Sequence, residues 1–132
     1  MAAFYYPPRA RKKQKMVDHI VSTLHILLDH YPSAEIVVAG DRNELVLAPI
    51  CRKVPNLKQL QSAPTYKHKQ LDVILTTLST CYKQPVVVDP IGPDQIGAKP
   101  SDHKVAILYP SDNRNEVRKA EFTIKVARPM PE

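Results

Sequence analysis

Thirteen prolines against three glycines in 132 residues limit the length of every regular element this chain can form. Proline fixes φ, lacks an N–H donor and is excluded from helix interiors and central strands. Between Pro8 and Pro32, Met16, Ile20, Leu24, Leu27, Leu28 and Tyr31 recur at steps of four, four, three, one and three, which sets them on one helical face. The spacing predicts a helix over residues 13–30, stopped by Pro32. Before it, residues 3–6 read as the tail of a strand ended by Pro7 and Pro8. Residues 35–39 form a β-branched apolar run that ends at Gly40 and opens into a loop carrying Asp41. The pattern over residues 45–55 is ambiguous and suits at most a short helix, since Pro49 and Pro55 limit any regular element. Residues 71–75, 85–88 and 104–109 read as strands, 76–83 as an irregular bridge, 89–101 as a loop, and 121–126 as a half-buried final strand. The fold class expected is mixed α/β (α+β).

With 43% hydrophobic and 24% charged residues, one globular domain is the expectation. No run of about 18 apolar residues offers a membrane span, and residues 1–10 lack the apolar region of a secretory signal, so an intracellular address, nucleus or cytoplasm, is expected. Cys51 and Cys81 form no CxxC pair that would suggest zinc or redox work. The formal charge of +6 is concentrated at one end: Arg9, Arg11, Lys12, Lys13 and Lys15 face no acid in the first fifteen residues, leaving 14 basic against 13 acidic side chains beyond them. Cations at a helix entrance oppose the macrodipole, so a phosphate partner is the natural reading of this segment. Lys67, His68 and Lys69 form a second small basic knot, with Lys67 and Lys69 candidates for the nucleic-acid backbone. His19, His25, His30 and His68 show no ligand spacing.

Three strings interrupt apolar runs with acids and amides: Gly40-Asp41-Arg42-Asn43, Leu71-Asp72-Val73 and Ser101-Asp102-His103. A carboxylate between Leu71 and Val73 needs a partner, because an unpaired buried charge is costly. His103 is the natural one, since a carboxylate on one imidazole nitrogen fixes the tautomer and orients the other nitrogen. Asp41, Asn43, Asp72, Asp102 and His103 at neighbouring strand ends would suit phosphodiester hydrolysis, which asks for positioning and charge compensation more than covalent help. Asp and Asn oxygens suit Mg²⁺ better than zinc. No phosphate-cradling, dinucleotide, nucleophile-elbow or HExxH motif is present.

The order Gly-Asp-x-Asn, Leu-Asp, Ser-Asp-His resembles the C-terminal half of the endonuclease/exonuclease/phosphatase family, and most of all the endonuclease region of non-LTR retroelement polyproteins. Tyr5-Tyr6-Pro7-Pro8-Arg9, Pro64-Thr65 and Arg128-Pro129-Met130-Pro131 have counterparts there, the last near the linker to a reverse transcriptase. The resemblance implies the C-terminal half of a four-layer α/β sandwich of the DNase I-like type, carrying a Mg²⁺-dependent DNA endonuclease site. In it Asp41 activates water, Asn43 contacts the phosphate, Asp72 orients His103, His103 stabilises the transition state, and Asp102 with Asp41 lies near the metal. A complete family domain is about twice this length, and its N-terminal half supplies an Asn and the principal metal-binding Glu. Glu35, the only glutamate before Asp41, stands in the wrong context, and Arg42 replaces an aromatic residue.

The implied organisation is a basic segment over 1–15, a partial hydrolase domain over 16–112 and a linker-like tail over 113–132. A domain short of its metal anchor is expected to be incomplete for catalysis alone. The alternative is a catalytically inactive module that binds nucleic acid or protein. A complementary N-terminal half or a second copy would cover the exposed sheet face; dimerisation, poor solubility, or partial disorder over 1–15 and beyond Asp112 is expected.

Overall fold

The computed structural model of the chain describes residues 1–90 and 102–111. Within them the order is β1 (Ala2–Tyr5), α1 (Lys13–His30), β2 (Val37–Asp41), α2 (Ala48–Lys53), β3 (Lys58–Leu60), β4 (Asp72–Thr76), β5 (Val86–Val88) and β6 (Val105–Ile107), an α+β arrangement. Four strands form one sheet in the order β1-β2-β4-β3, with β1 parallel to β2 and the other neighbours antiparallel. β5 and β6 pair antiparallel in a separate two-stranded sheet. A parallel neighbour demands a crossover connection, and α1 supplies it.

β1 comes close to β2 because of one glycine. A Cβ at Gly40 would fall on the carbonyl oxygen and ring of Phe4, so only glycine lets the two strands meet in this register. β2 runs from Val37 to Asp41, so it starts and ends two residues later than the apolar run over 35–39 and takes Asp41 into the strand. The strand tail expected over residues 3–6 is β1, paired residue for residue to β2, so this part of the 1–15 segment is ordered. Tyr6 is 2% exposed and donates its hydroxyl to the Ala10 carbonyl at 2.7 Å. Position 15 lies in the first turns of α1.

α1 spans the residues its periodicity predicts, but its inward stripe is rotated. Val17, Ile20, Val21 and Leu24 are buried against Val38, Val73 and Leu75. Met16 and Leu28 are partly covered, while Leu27 and Tyr31 are 40% and 65% exposed. At 100° per residue, Leu27 lies about 70° from the centre of the buried stripe, and Tyr31 is the C-cap beyond the last turn. Val17 and Val21 take inward places because the sheet, not the helical period alone, decides which face is covered.

α2 lies within the ambiguous stretch 45–55 and includes Pro49 in its first turn, where a missing N–H costs nothing. His25 donates from Nε2 to the Lys53 carbonyl at 2.8 Å, tying α1 to α2. β3 was not anticipated: Lys-Gln-Leu has no strand pattern of its own and is extended by its pairing with β4. Among the described residues, no helix is long and apolar enough to cross a membrane. The 91–101 part of the predicted loop, the predicted strand over 121–126, the Arg128-Pro129-Met130-Pro131 string and the tail over 113–132 lie outside the described residues.

The rotated stripe has a measurable consequence. In urea titrations Leu24→Ala should lose about 2–5 kcal/mol, the usual range for a buried leucine. Leu27→Ala should stay within about 0.5 kcal/mol of the parent, as surface changes do; equal losses would put Leu27 in the core.

Candidate active site

The register of the central strand pair sets Asp41 of β2 directly opposite Asp72 of β4. Cross-strand partners have Cβ atoms about 4.5–5.5 Å apart on one face, and two like charges there repel. His103, just ahead of β6, enters this space. Its Nδ1–H donates to Asp72 Oδ2 at 2.8 Å, and its Nε2 lies 4.0 Å from Asp41 Oδ2. All three side chains are between 20% and 30% exposed, open enough for a ligand and covered enough for their charges to interact strongly. The Tyr66 ring lies beside the imidazole, with centroids 5.2 Å apart and planes at 32°.

Local structure holds each group. The Asp41 carbonyl accepts the Tyr6 N–H at 3.0 Å, and Asp41 Oδ1 accepts the Asn43 N–H at 3.1 Å, a turn that short acidic side chains favour. Asn43 sits in the left-handed region at φ 44°, which asparagine tolerates better than most residues. Its Nδ2 donates to the Tyr6 carbonyl, so the amide expected on a phosphate anchors the end of β1 in this structure. Arg42 donates from its backbone N–H to Leu71 O at 2.8 Å and from Nε to Gln70 O at 2.9 Å, fastening the approach to β4. Thr65, fully buried, accepts the Leu71 and Asp72 N–H groups on Oγ1. The sequence reading gave it no role, since a threonine shows its value only through what it bonds.

Burial lifts the Asp41 carboxyl above its ordinary value, the Asn43 N–H opposes that rise, and the neighbouring Asp72 charge adds to it. The hydrogen bond to Asp72 raises His103 above its ordinary value, against a smaller lowering by burial, with the charges of Asp72, Asp41 and Asp102 assisting. Asp102 thus acts on the imidazole through charge; it is exposed in the bend before His103, outside the convergent group. The carboxylates of Asp41 and Asp72 and the imidazole place one ligand atom each within 4.8 Å of one another, a group that could hold a metal ion. The carboxylate oxygens fit a hard divalent cation, while Nδ1 is committed to Asp72.

The predicted basic residues lie elsewhere on the surface. Arg11, Lys12 and Lys15 line an open groove of about 500 Å³ with Tyr5, Tyr6 and Met16. This groove borders the acidic end of β2 through Tyr5, whose backbone is in register with Asp41, and Tyr6, whose N–H donates to the Asp41 carbonyl. Arg9, at φ 60°, is exposed, and Lys13 pairs with Glu44 at 3.7 Å. Lys67 and Lys69 are exposed in the turn after Tyr66, with Lys67 Nζ 5.3 Å from the Tyr66 ring centroid. No family model, no curated protein and no solved structure matches the chain.

Because folding raises the His103 pKa, its charged form stabilises the fold at pH below the unfolded value near 6.5. That contribution fades as pH rises through the folded value. Imidazole proton shifts should therefore titrate above 6.5 in the native chain and lower in Asp72→Asn. The stability gap between the two chains should be widest at acidic pH, provided Asp72 stays ionised, and should narrow on the alkaline side. A gap that widens with pH would contradict the assignment.

Proposed function

We propose that Asp41, Asp72 and His103 form the reacting centre of a partial phosphodiester hydrolase domain acting on DNA, short of the principal metal-binding glutamate that the resemblance implies and so a weak catalyst alone. The observation that supports this most is the Asp72–His103 hydrogen bond, which turns the imidazole so that Nε2 approaches the Asp41 carboxylate. An oxygen of a phosphate or of water can sit about 2.8 Å from both atoms across their 4.0 Å separation. Asp41, made more basic by burial, takes a proton from the attacking water. The new P–O bond forms as the bond to the leaving oxygen breaks, and the imidazolium stabilises charge gathering on the phosphoryl oxygens. Asp72 keeps the ring in place and its positive charge favourable. The Asp41 and Asp72 oxygens would hold Mg²⁺, which would neutralise charge on the phosphoryl group, while Asp102, expected beside the metal, lies outside this group.

The same reading makes the chain the C-terminal half of a DNase I-like sandwich of retroelement origin. The order of the three acidic strings and their meeting of β2, β4 and the His103 segment support it. In a plasmid-nicking assay with Mg²⁺, His103→Ala should cut at least about 100-fold more slowly than the native chain, the scale of a lost acid–base or electrostatic group. Equal nicking would remove the proposal.

A second reading, DNA binding without cleavage, draws support from the groove. Arg11, Lys12 and Lys15 are exposed beside Tyr5, and α1 has no acid in its first turn to welcome them there. About four or five phosphate contacts predict a log–log salt slope near −4 for DNA binding. That slope, unchanged in His103→Ala and unaccompanied by nicking, would favour this reading, and a flat response would exclude it.

A further inference from the structure

The two halves of the acid–imidazole pair come from distant segments, and one buried residue touches the backbone of both. Thr65 is 0% exposed. Its Oγ1 accepts the N–H of Leu71 at 3.2 Å and of Asp72 at 3.0 Å, while its carbonyl accepts the N–H of Lys104, next to His103, at 2.7 Å. Its own N–H donates to Lys69 O at 3.0 Å, closing a tight turn in which Lys69 N–H returns to Tyr66 O at 2.8 Å and Lys67 takes φ 50°. That turn brings the chain back so that the start of β4 faces the threonine hydroxyl.

We propose that Thr65 is a positioning residue, holding Asp72 by its hydroxyl and the His103 segment by its carbonyl, so that carboxylate and imidazole meet. The catalytic consequence of this arrangement rests on the proposed function; the positioning itself does not. A hydroxyl accepts two N–H groups where a methyl of the same size accepts none. Valine at this position fills the same space and leaves the Leu71 and Asp72 amides without their acceptor, so the start of β4 shifts to find another. Serine keeps the oxygen and loses only a methyl. The carbonyl bond to Lys104 survives in either variant, so what changes is where Asp72 sits relative to a histidine still tethered nearby.

The test uses the full chain with Thr65→Val and Thr65→Ser. Proton NMR reads the hydrogen-bonded Nδ1–H of His103 as a downfield resonance, identified by its loss in His103→Ala, and the amide spectrum reports whether α1 and the sheet stay folded. The native chain and Thr65→Ser should show the resonance. A folded Thr65→Val should lose it or shift it upfield, with nicking reduced about 100-fold, as small misplacements of reacting groups cause. A folded Thr65→Val with the resonance unchanged overturns the proposal. Should valine prevent folding, hydrogen exchange in the native chain decides. Slow exchange at both Leu71 and Asp72 amides supports the clamp, and exchange as fast as in an open loop overturns it. A native chain that does not nick, but whose resonance still depends on Thr65, would remove the hydrolase reading and leave the positioning role standing.

Discussion

Two carboxylates opposite one another on neighbouring antiparallel strands repel, and the middle of this structure is arranged around that repulsion. Asp41 and Asp72 are committed to the position by the register of β2 and β4, which the buried apolar residues of the same strands enforce. A slip of one residue would turn Val38, Val73 and Leu75 outward. The imidazole of His103, hydrogen-bonded to one carboxylate and near the other, offsets part of the repulsion. Burial is the main cause of the raised Asp41 pKa, and the Asp72 charge adds to it. A site that holds excess negative charge beside an imidazole readily protonated near neutrality is suited to chemistry in which a proton moves and a cation helps.

The rest of the fold serves this pair. Gly40 admits β1, whose end at Tyr6 accepts from Asn43 and donates to the Asp41 carbonyl, so β2 cannot fray at its acidic end without disturbing the edge strand. α1 links β1 to β2 and covers the opposite face through Val17, Ile20, Val21 and Leu24. Arg42 and Thr65 hold the lead into β4 from two sides. Each of these contacts is local, and together they determine the separation of three side chains that the chain order places 31 residues apart in each step.

Much of this was legible from residue order. A helical apolar period between two prolines marks α1, and an acid embedded between Leu71 and Val73 announces a partner, which His103 supplies. The illegible parts have physical causes. Leu27 fits a helical period as well as Val17 does, and only the sheet decides which is covered. β3 has no pattern because β4 imposes its extension. The hydrogen bond from Asn43 to the Tyr6 carbonyl is not written in an amide string, because the string says nothing of the backbone that folding brings beside it. Asp102 looks equal to its neighbours in the string, yet in the bend before His103 it is exposed and acts through charge alone. Thr65 carries no chemical signal until its four backbone partners are seen.

The most direct test of the central claim is the tautomer of neutral His103, read from long-range proton–nitrogen couplings of the ring at alkaline pH. A carboxylate can only accept, so the Asp72 bond requires the proton on Nδ1. A dominant Nδ1–H form is the result expected. A dominant Nε2–H form would mean that Asp72 does not hold the imidazole, and the arrangement built on that bond would fall with it.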